Sequence, residues 1–395
     1  MCAVSDRHAH FLLTEDQLRL RDEAGALAGR FSLDYWLERD RTGEYPWEFV
    51  DAFAKSGWLG IVVPEEHGGA GLGLTEAALM LEQVAASGAG ISGASALHFH
   101  IFPPAPIVRH GSEEMKRRHL PRIARGELLM AFGVTEPTAG TDTSRITTRA
   151  ERKGDVWVIN GQKVWTTNAQ HAQKILLLAR TSPRSDDRPL DGMTLFFTDL
   201  DRRRCTVKRI DKLGRAAVDS NEVFIEDLEA TDADVVGEVG RGFHHLLDGL
   251  NPERVVVAME SIGMGRAALR LATSYASERV VFDRPIGANQ AVAHPLARTW
   301  AALEAAELMA LKAAWLHDHG QPCGPEANVA KYLAGDAGFQ ACDAALQAHG
   351  GFGYAKEYHV ERLWREARLF QIAPISQEMV LNYISHACLG LPKSY

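Results

Sequence analysis

The sequence predicts a multidomain α+β protein in which a helical region, a β region and a second helical region follow one another. Apolar residues recur at helical spacing up to about residue 128, short β-branched and aromatic runs fill 129–240, and long Ala- and Leu-rich segments follow from 241. At 395 residues the chain is too long for one simple core. We therefore expect three domains, over 1–128, 129–240 and 241–395.

Polar residues mark the starts of helices in the first region. Thr14-Glu15-Asp16 and Thr75-Glu76 each place a hydroxyl side chain before an acidic first turn. Glycine and proline interrupt the region in EEHGGAGLG (65–73) and IFPPAP (101–106). The helices of this region should therefore be short to medium in length.

Five short runs predict strands in the middle region: VWVING (156–161), KILLLAR (174–180), MTLFFTDL (193–200), CTVKRI (205–210) and NEVFIEDL (221–228). Turn residues separate these runs, and the connections leave no room for crossover helices. This spacing favours an antiparallel sandwich or barrel over a parallel α/β sheet.

Helical periodicity returns in the last region, over 254–279, 290–318 and 325–348. In LNPERVVVA (250–258), Asn251 suits an N-cap, Pro252 suits the first helical position, and Glu253 complements the helix dipole. Local signals alone thus favour a structural role for Glu253. The pair Gly263 and Gly265 lies inside a helical segment, which indicates close helix packing, and the chain has no complete GxGxxG pattern.

The composition excludes several classes of function. A net charge of -8 and a pI near 6.1 give no general attraction to nucleic acid. The five cysteines show no paired spacing, which argues against a disulfide framework and a zinc site. No apolar run approaches the roughly 18 to 20 residues of a membrane helix, and no secretory or transit segment is evident. We expect a cytoplasmic protein without a metal site.

Two polar stretches in the β region combine hydroxyl side chains, small residues and an aromatic residue: AFGVTEPTAGTDTS (131–144) and INGQKVWTTNAQHA (159–172). Backbone N–H groups and hydroxyls there suit the polar edge of a flat heteroaromatic ligand, and Trp165 suits its face. Two ordinary turn-rich strand ends would explain the same composition. Spacing alone does not decide between them.

Five stretches in the same order resemble the acyl-CoA dehydrogenase family of flavoproteins: VTEPTAGTD (134–142), NGQKVWTTNA (160–169), KLGRAAVDSNEVFIED (212–227), YASERVVFDRPIGANQAVAHPLA (275–297) and QAHGGFGYAKEYHVERLWREAR (347–368). The resemblance implies a helical domain, a middle β domain and a C-terminal four-helix bundle. It also implies that FAD is bound between the β domain and the C-terminal helices, in a homodimer or homotetramer.

The resemblance also implies two groups of cofactor-binding residues. Phe132, Val134 and Thr135 match positions that line the flavin ring, Trp165 and Thr167 match its other side, and Thr141 matches a position near the pantetheine and flavin. Contacts to the FAD of a neighbouring subunit are matched by Arg279, Phe282, Gln290, Gln347, Gly350 and Gly351. One departure is Asp283, where the family commonly has Gly, and we expect its carboxylate to face solvent.

The family reaction needs a carboxylate that removes the proton α to a thioester carbonyl. Many members supply it near the C-terminus, but FQIAPISQEM (370–379) places Pro374 at that position, so either the base is lost or it lies elsewhere. A smaller group, including isovaleryl-CoA and long-chain acyl-CoA dehydrogenases, carries it in a segment of the form L-x-x-E-R, which Glu253 and Arg254 match. Glu378 and Glu136 match family positions that are not the base. We therefore predict that Glu253 is catalytic and that Arg254 holds the active-site geometry.

The implied function is oxidation of an acyl-CoA to a 2,3-enoyl-CoA, with an electron-transfer flavoprotein as the oxidant. The position of the base suggests branched or medium to long acyl groups by analogy. An acyl group on a carrier protein, as in secondary metabolism, is the alternative substrate. Some relatives of the fold bind DNA, but the acidic total charge gives this interpretation little support.

Overall fold

The computed structural model describes residues 12–394, so residues 1–11, including Cys2, lie outside the described part. Within residues 12–128 there are seven α-helices: α1 (Glu15–Ala28), α2 (Leu33–Thr42), α3 (Trp47–Lys55), α4 (Leu74–Val84), α5 (Gly90–His98), α6 (Ala105–His110) and α7 (Glu113–Ala124). The predicted start of α1 is confirmed. The Thr14 hydroxyl accepts a hydrogen bond from the backbone N–H of Gln17 at 3.2 Å, and the Gln17 side chain returns to the Thr14 backbone.

The predicted start of α4, with Thr75 as the capping residue, is wrong by two residues, because the helix begins at Leu74 after Gly73 and a distant carboxylate caps its first turn. The carboxylate of Asp318 accepts hydrogen bonds from the backbone N–H groups of Leu74 and Thr75, at 2.7 and 2.9 Å. It also accepts one from the Thr75 hydroxyl at 2.6 Å. These contacts satisfy N–H groups that lack partners at any helix start, and they tie α4 to the C-terminal region.

The middle region forms an eight-stranded sheet from β1 (Met130–Gly133), β2 (Arg149–Lys153), β3 (Val156–Thr167), β4 (Lys174–Arg180), β5 (Met193–Asp199), β6 (Cys205–Arg209), β7 (Ser220–Ala230) and β8 (Val235–Val236). The order is β6-β7-β3-β2-β4-β5-β8, and β1 pairs with β4. Most pairings are antiparallel, as predicted, but β4 pairs in parallel with β1 and, at one position, with β2. Parallel pairing is possible here because the long stretch of chain between β1 and β4 provides the crossover.

Three long helices dominate the C-terminal region: α8 (Gly242–Glu278), α9 (Gln290–Asp318) and α10 (Gly324–His349). Two shorter helices follow, α11 (Val360–Ala367) and α12 (Gln377–Tyr383), and a small hairpin of β9 (Val280–Val281) and β10 (Arg284–Pro285) joins α8 to α9. The apolar residues of α8, α9 and α10 join those of α1, α3 and α4 in one core. The two helical regions therefore share a hydrophobic interior. None of the helices in residues 12–394 is both long and apolar enough to cross a membrane.

Glycines of α8 let neighbouring helices approach closely, as predicted from their position inside a helical segment. A Cβ atom at Gly263 would lie 2.1 Å from the backbone oxygen of Glu82 in α4. One at Gly265 would lie 2.9 Å from the Leu303 side chain in α9 and 3.2 Å from Gly338 in α10. These glycines serve helix packing.

Helix α8 begins earlier than the local signals predicted. It starts at Gly242 and continues through Pro252, so Asn251 is not its N-cap. The Asn251 side-chain oxygen instead accepts a hydrogen bond from Nη1 of Arg254 at 2.7 Å. Proline in a helix interior removes a backbone hydrogen bond, at a cost of about 3 kcal/mol, and here packing outweighs that cost.

Candidate active site

Glu253 lies on the inward face of α8, between two places where α8 meets residues 98–102. Gly249 and Glu260 are four and seven residues from Glu253, spacings that place all three on one face of the helix. A Cβ atom at Gly249 would lie 3.5 Å from the ring of Phe102. Glu260 is joined to His98 by a hydrogen bond of 2.8 Å between Oε1 and Nδ1. Glu253 therefore faces the segment that ends α5.

The Glu253 carboxyl group is half-buried and makes no hydrogen bond or ion pair with the residues at 12–394. Burial raises its pKa to about 7, against the attraction of His98 and Arg254 and with repulsion from Glu260. Burial disfavours the ionised form because the surrounding protein solvates charge poorly. A carboxyl group with a pKa near neutrality can both accept and release a proton, as a general base must.

An aromatic wall connects this position to the first strand of the sheet. The rings of His98 and Phe102 have centroids 5.8 Å apart, and Phe102 meets Phe132 of β1 edge to face at 5.3 Å. Edge-to-face packing fixes the orientation of both rings. Phe102 thus lies between Phe132, one of the predicted flavin contacts, and the Gly249 turn of α8, one turn before Glu253.

The other predicted flavin contacts lie on adjoining backbone. The backbone N–H of Val164 donates to the Thr135 oxygen at 2.9 Å, which holds the chain after β1 beside β3 and places Val134 and Trp165 in neighbouring segments. Trp165 is 57% exposed and has a left-handed backbone with φ of 60°. A bulky residue in that conformation is strained, and such strain often marks a functional site. Thr141 is exposed on the loop between β1 and β2.

Arg215 joins the sheet to α5 and was missed by the sequence analysis. Its Nη2 donates to the hydroxyls of Thr167 and Ser220 at 3.2 and 2.7 Å, and its Nη1 donates to Ser95 of α5 at 3.4 Å. Burial lowers its pKa, and Asp219 is the largest opposing influence. Its position in the motif KLGRAAVDSNEVFIED was the available signal, but the motif does not reveal which side chains it meets.

Glu136 has a structural environment that differs sharply from that of Glu253. Its carboxylate accepts hydrogen bonds from Lys163 Nζ at 2.8 Å, from both the backbone N–H and the hydroxyl of Thr147, and from the backbone N–H of Thr148. Burial raises its pKa, but the charge and hydrogen bond of Lys163 and the threonine donors bring it to about 2. Such a group stays ionised and is a poor proton acceptor at neutral pH.

The position matched to the usual C-terminal base holds no carboxylate. Lys331 Nζ donates to the backbone oxygen of Ile375, next to Pro374, at 2.5 Å. Glu378 is exposed in the first turn of α12, where hydrogen bonds from the backbone and Ser376 keep its pKa below the usual range. The exposed position of Glu378 contrasts with the half-buried position of Glu253.

Arg254 points away from the face of α8 that carries Glu253, since consecutive helix residues differ by about 100°. It is half-buried, and burial lowers its pKa, with Glu253 as the largest opposing influence. Its Nε is buried without a hydrogen-bond partner in the described chain. An arginine remains charged under these conditions.

The second group of predicted cofactor residues lies on the surface of the C-terminal helices. Arg279, Gln347, Gly350 and Gly351 line one groove of about 490 Å³. A Cβ atom at either glycine would meet no atom within 4 Å, so the space above this backbone is open. Phe282 and Gln290 lie outside the lining of the groove, and both are exposed.

The hairpin between β9 and β10 explains the departure at Asp283. Phe282 and Asp283 have φ angles of 53° and 63°, which a two-residue hairpin turn requires at both central positions. Glycine adopts this conformation most easily, and Asp is among the residues that tolerate it. Asp283 is exposed, and Phe282 at the same tip is 92% exposed.

Comparison with known proteins places the chain in one family. Models of the N-terminal, middle and C-terminal domains of acyl-CoA dehydrogenases match residues 14–127, 131–228 and 240–389. The acyl-CoA dehydrogenase fadE12 of Mycobacterium bovis is 38% identical, over 98% of this chain and 99% of that protein. The chain belongs to the acyl-CoA dehydrogenase family, whose members are FAD-dependent oxidoreductases acting on acyl thioesters.

Two solved structures show the range within the fold. Butyryl-CoA dehydrogenase from Megasphaera elsdenii is 30% identical with a TM-score of 0.90, covering 95% of this chain and 99% of that one. The prolyl acyl carrier protein oxidase AnaB is 25% identical with a TM-score of 0.88, covering 96% of this chain and all of the other. The fold therefore accommodates both CoA and carrier-protein thioesters among its relatives.

Proposed function

We propose that the protein removes hydrogen from the α and β carbons of an acyl-CoA, with Glu253 as the base, and produces a 2,3-enoyl-CoA. The observation that carries this proposal is the Glu253 carboxyl group, which has no hydrogen-bond or ion-pair partner in the described chain and a pKa of about 7. The alternative carboxylates are an exposed Glu378 and a Glu136 held ionised by Lys163. Neither environment suits a base inside the molecule.

The role of Glu253 follows from its surroundings. The ionised carboxylate accepts the α proton, and the low polarity around it makes the resulting neutral acid favourable. Phe102 and Phe132 pack edge to face beside the Gly249 turn of α8 and give this side of the helix an apolar wall. Arg254 remains charged and fixes the helix turn through Asn251. FAD, when bound, supplies the acceptor for the hydride from the β carbon.

The residues near Phe132 suit the flavin part of FAD, and those of the surface groove suit its diphosphate part. We propose that the flavin side is contacted by Phe132, Val134, Thr135, Thr141, Trp165 and Thr167, a set that combines hydroxyl side chains with an exposed indole. The groove holds Arg279 beside two glycines with open space above them, an arrangement that suits a diphosphate.

We further propose that the groove receives the FAD of a second subunit, with Phe282 and Gln290 adding contacts. Phe282 projects from a hairpin with almost no cover, which an assembly with another copy would provide. A homotetramer or homodimer would then be needed for full cofactor binding. An electron-transfer flavoprotein is the proposed oxidant, and branched or medium to long acyl groups are the proposed substrates.

The assignment of the base is tested by flavin bleaching under anaerobic conditions. Glu253→Gln should keep FAD and fold normally but reduce the flavin about 100- to 10,000-fold more slowly with acyl-CoA. Glu378→Gln is the matched control, because it makes the same substitution at an exposed site near the usual base position. Wild-type bleaching in Glu253→Gln, or a loss confined to Glu378→Gln, would show that the base is not Glu253.

A carrier-protein thioester is the second candidate substrate, supported by the similarity to the carrier-protein oxidase. Turnover of one acyl group should be compared on CoA and on phosphopantetheinylated carrier protein. We expect the higher kcat/KM with CoA. A preference for the carrier would reassign the substrate while leaving the role of Glu253 intact.

A further inference from the structure

We propose that His98, held by Glu260, is a positioning residue that places a positive charge beside Glu253 and keeps this carboxylate ionised between turnovers. The inference rests on the proposed function, because it assumes that Glu253 must be ionised to act. It concerns a histidine for which the motif comparison implied no role.

The first support is the alignment of two chain segments. His98 contacts Glu260 and Phe102 contacts the Gly249 position, so residues 98 and 102 meet α8 on either side of Glu253. Side chains of a helix lean toward its N-terminus, so the Glu260 carboxylate reaches back toward Glu253. The ring of His98 is consequently held in the stretch of α8 that Glu253 occupies.

The second support is the burial of the pair. His98 and Glu260 are 5% and 2% exposed, and their hydrogen bond of 2.8 Å fixes the ring through Nδ1. A buried carboxylate without a positive partner is costly, which favours the imidazolium form of the histidine. Burial by itself lowers the pKa of His98, but the charge and hydrogen bond of Glu260, with help from Glu253, raise it above its usual value.

The charges around Glu253 decide the net effect. His98 faces it from the end of α5, and Arg254 and Glu260 belong to α8. Arg215, from the loop before β7, also faces His98 and opposes its protonation. His98 and Arg254 lower the pKa of Glu253, whereas Glu260 raises it, and the His98 ring lies between α5 and α8 with Nδ1 bonded to Glu260.

The positioning role offsets the cost of burying the base. An enclosed carboxylate binds substrate in a low-polarity site, but too high a pKa would leave it protonated and inactive. A fixed imidazolium lowers the proton affinity without a direct hydrogen bond, so the carboxylate oxygens stay available to the substrate. Glu253 thus accepts the proton, while His98 adjusts its proton affinity from a separate position.

The test is the pH dependence of anaerobic flavin reduction in His98→Gln. Loss of a nearby cation should move the acidic limb of the profile upward by about one pH unit or more, which near pH 6 is about a tenfold slower rate than wild type. At pH 9 the two rates should converge. Overlapping profiles would overturn the proposal.

His100→Gln is the matched control, because His100 is equally buried, lies two residues away and has its pKa lowered to about 4 by burial. A neutral histidine supplies no charge, so its replacement should leave the pH profile in place. An equal shift in both variants would assign the effect to packing and would also overturn the proposal.

A measurement on the wild type covers the case in which His98→Gln does not fold. Histidine-selective ¹⁵N NMR should show the His98 ring as an imidazolium at pH 7, and a neutral ring would overturn the proposal. The outcome is separable from the proposed function. If Glu253→Gln reduces flavin normally, the base assignment fails whatever the state of His98. If only the His98 results are negative, Glu253 keeps its role.

Discussion

Two carboxylates, the buried Glu136 in the β region and the half-buried Glu253 in the C-terminal helices, show how environment separates a structural acid from a proposed base. Glu136 meets a lysine and several hydrogen-bond donors, and its pKa is about 2. Glu253 has no such partner within residues 12–394, and its pKa is about 7. The side chains are chemically identical, so the difference comes from what surrounds them.

The two carboxylates also differ in what surrounds them and in what they can do for the protein. The Glu136–Lys163 pair is almost completely enclosed and ties the chain after β1 to β3. Glu253 lies where α8 faces an aromatic wall rather than a donor. A site that stabilises the fold satisfies its charge, whereas a site that performs proton transfer leaves a charge-bearing oxygen free for substrate.

The largest expected effect is the loss of stability when the paired carboxylate, Glu136, is replaced. Glu136→Gln leaves the Lys163 ammonium buried without its counter-charge, and we expect a loss of about 3–5 kcal/mol in the free energy of unfolding. Urea denaturation measures this loss. The double variant Glu136→Gln with Lys163→Met should recover part of it, and additive losses would contradict the account.

Shortening the side chain of the proposed base, Glu253, should have the next largest effect. Glu253→Asp withdraws the oxygens from the substrate by one methylene, and a misplacement of about 1 Å costs about a hundredfold in rate. Stopped-flow measurement of flavin reduction checks this, with bound FAD quantified in the same sample. A rate within twofold of wild type would mean that the exact reach of residue 253 is unimportant.

The raised pKa of Glu253 should make the stability of the protein depend on pH. The pKa of Glu253 is about 7 in the folded protein against an ordinary 4.5, so the folded state holds this proton more tightly. Its contribution to stability is therefore lost as pH rises from 4.5 to 7. Glu253→Gln escapes the loss and should be about 1–3 kcal/mol more stable than wild type at pH 8, with no gain at pH 4. Denaturation curves that differ equally at both pH values would refute this.

The smallest effect is expected at Asp283, a carboxylate that is neither buried nor paired within the described chain. Asp283→Asn keeps a residue that tolerates the left-handed turn while removing the charge. We expect the Kd for FAD to change by less than about twofold, since an exposed charge is screened by solvent. Clearly tighter FAD binding would show that this carboxylate faces the cofactor diphosphate in the assembly.

The sequence predicted the order of the three regions and several elements closely, including strand β4 over Lys174–Arg180 and helix α9 over Gln290–Asp318. It failed where distant residues intervene. The cap of α4 comes from Asp318, and no local pattern around Thr75 reveals a partner so far along the chain. Likewise, Asn251 and Pro252 read as a helix start, yet α8 already runs through them, since tertiary packing outweighs local propensity.

The candidate site also contains residues that the sequence pointed to and residues that it did not. Motif resemblance brought forward Glu253, Trp165 and the glycines of the surface groove, because residue types and spacing are visible in a sequence. Arg215 and His98 were not assigned roles, since their importance depends on which side chains they meet.

By itself, the sequence determined the succession of helical and β regions, the candidate base and the family, because these depend on periodicity, composition and ordered motifs. Only the tertiary structure decided that Glu253 is half-buried without a hydrogen-bond partner in the described chain, that Glu136 is fully satisfied, and that His98 of α5 is joined to Glu260 of α8. A pKa is a property of surroundings assembled from distant segments. The same residue type therefore acquires two very different proton affinities only when the chain is folded.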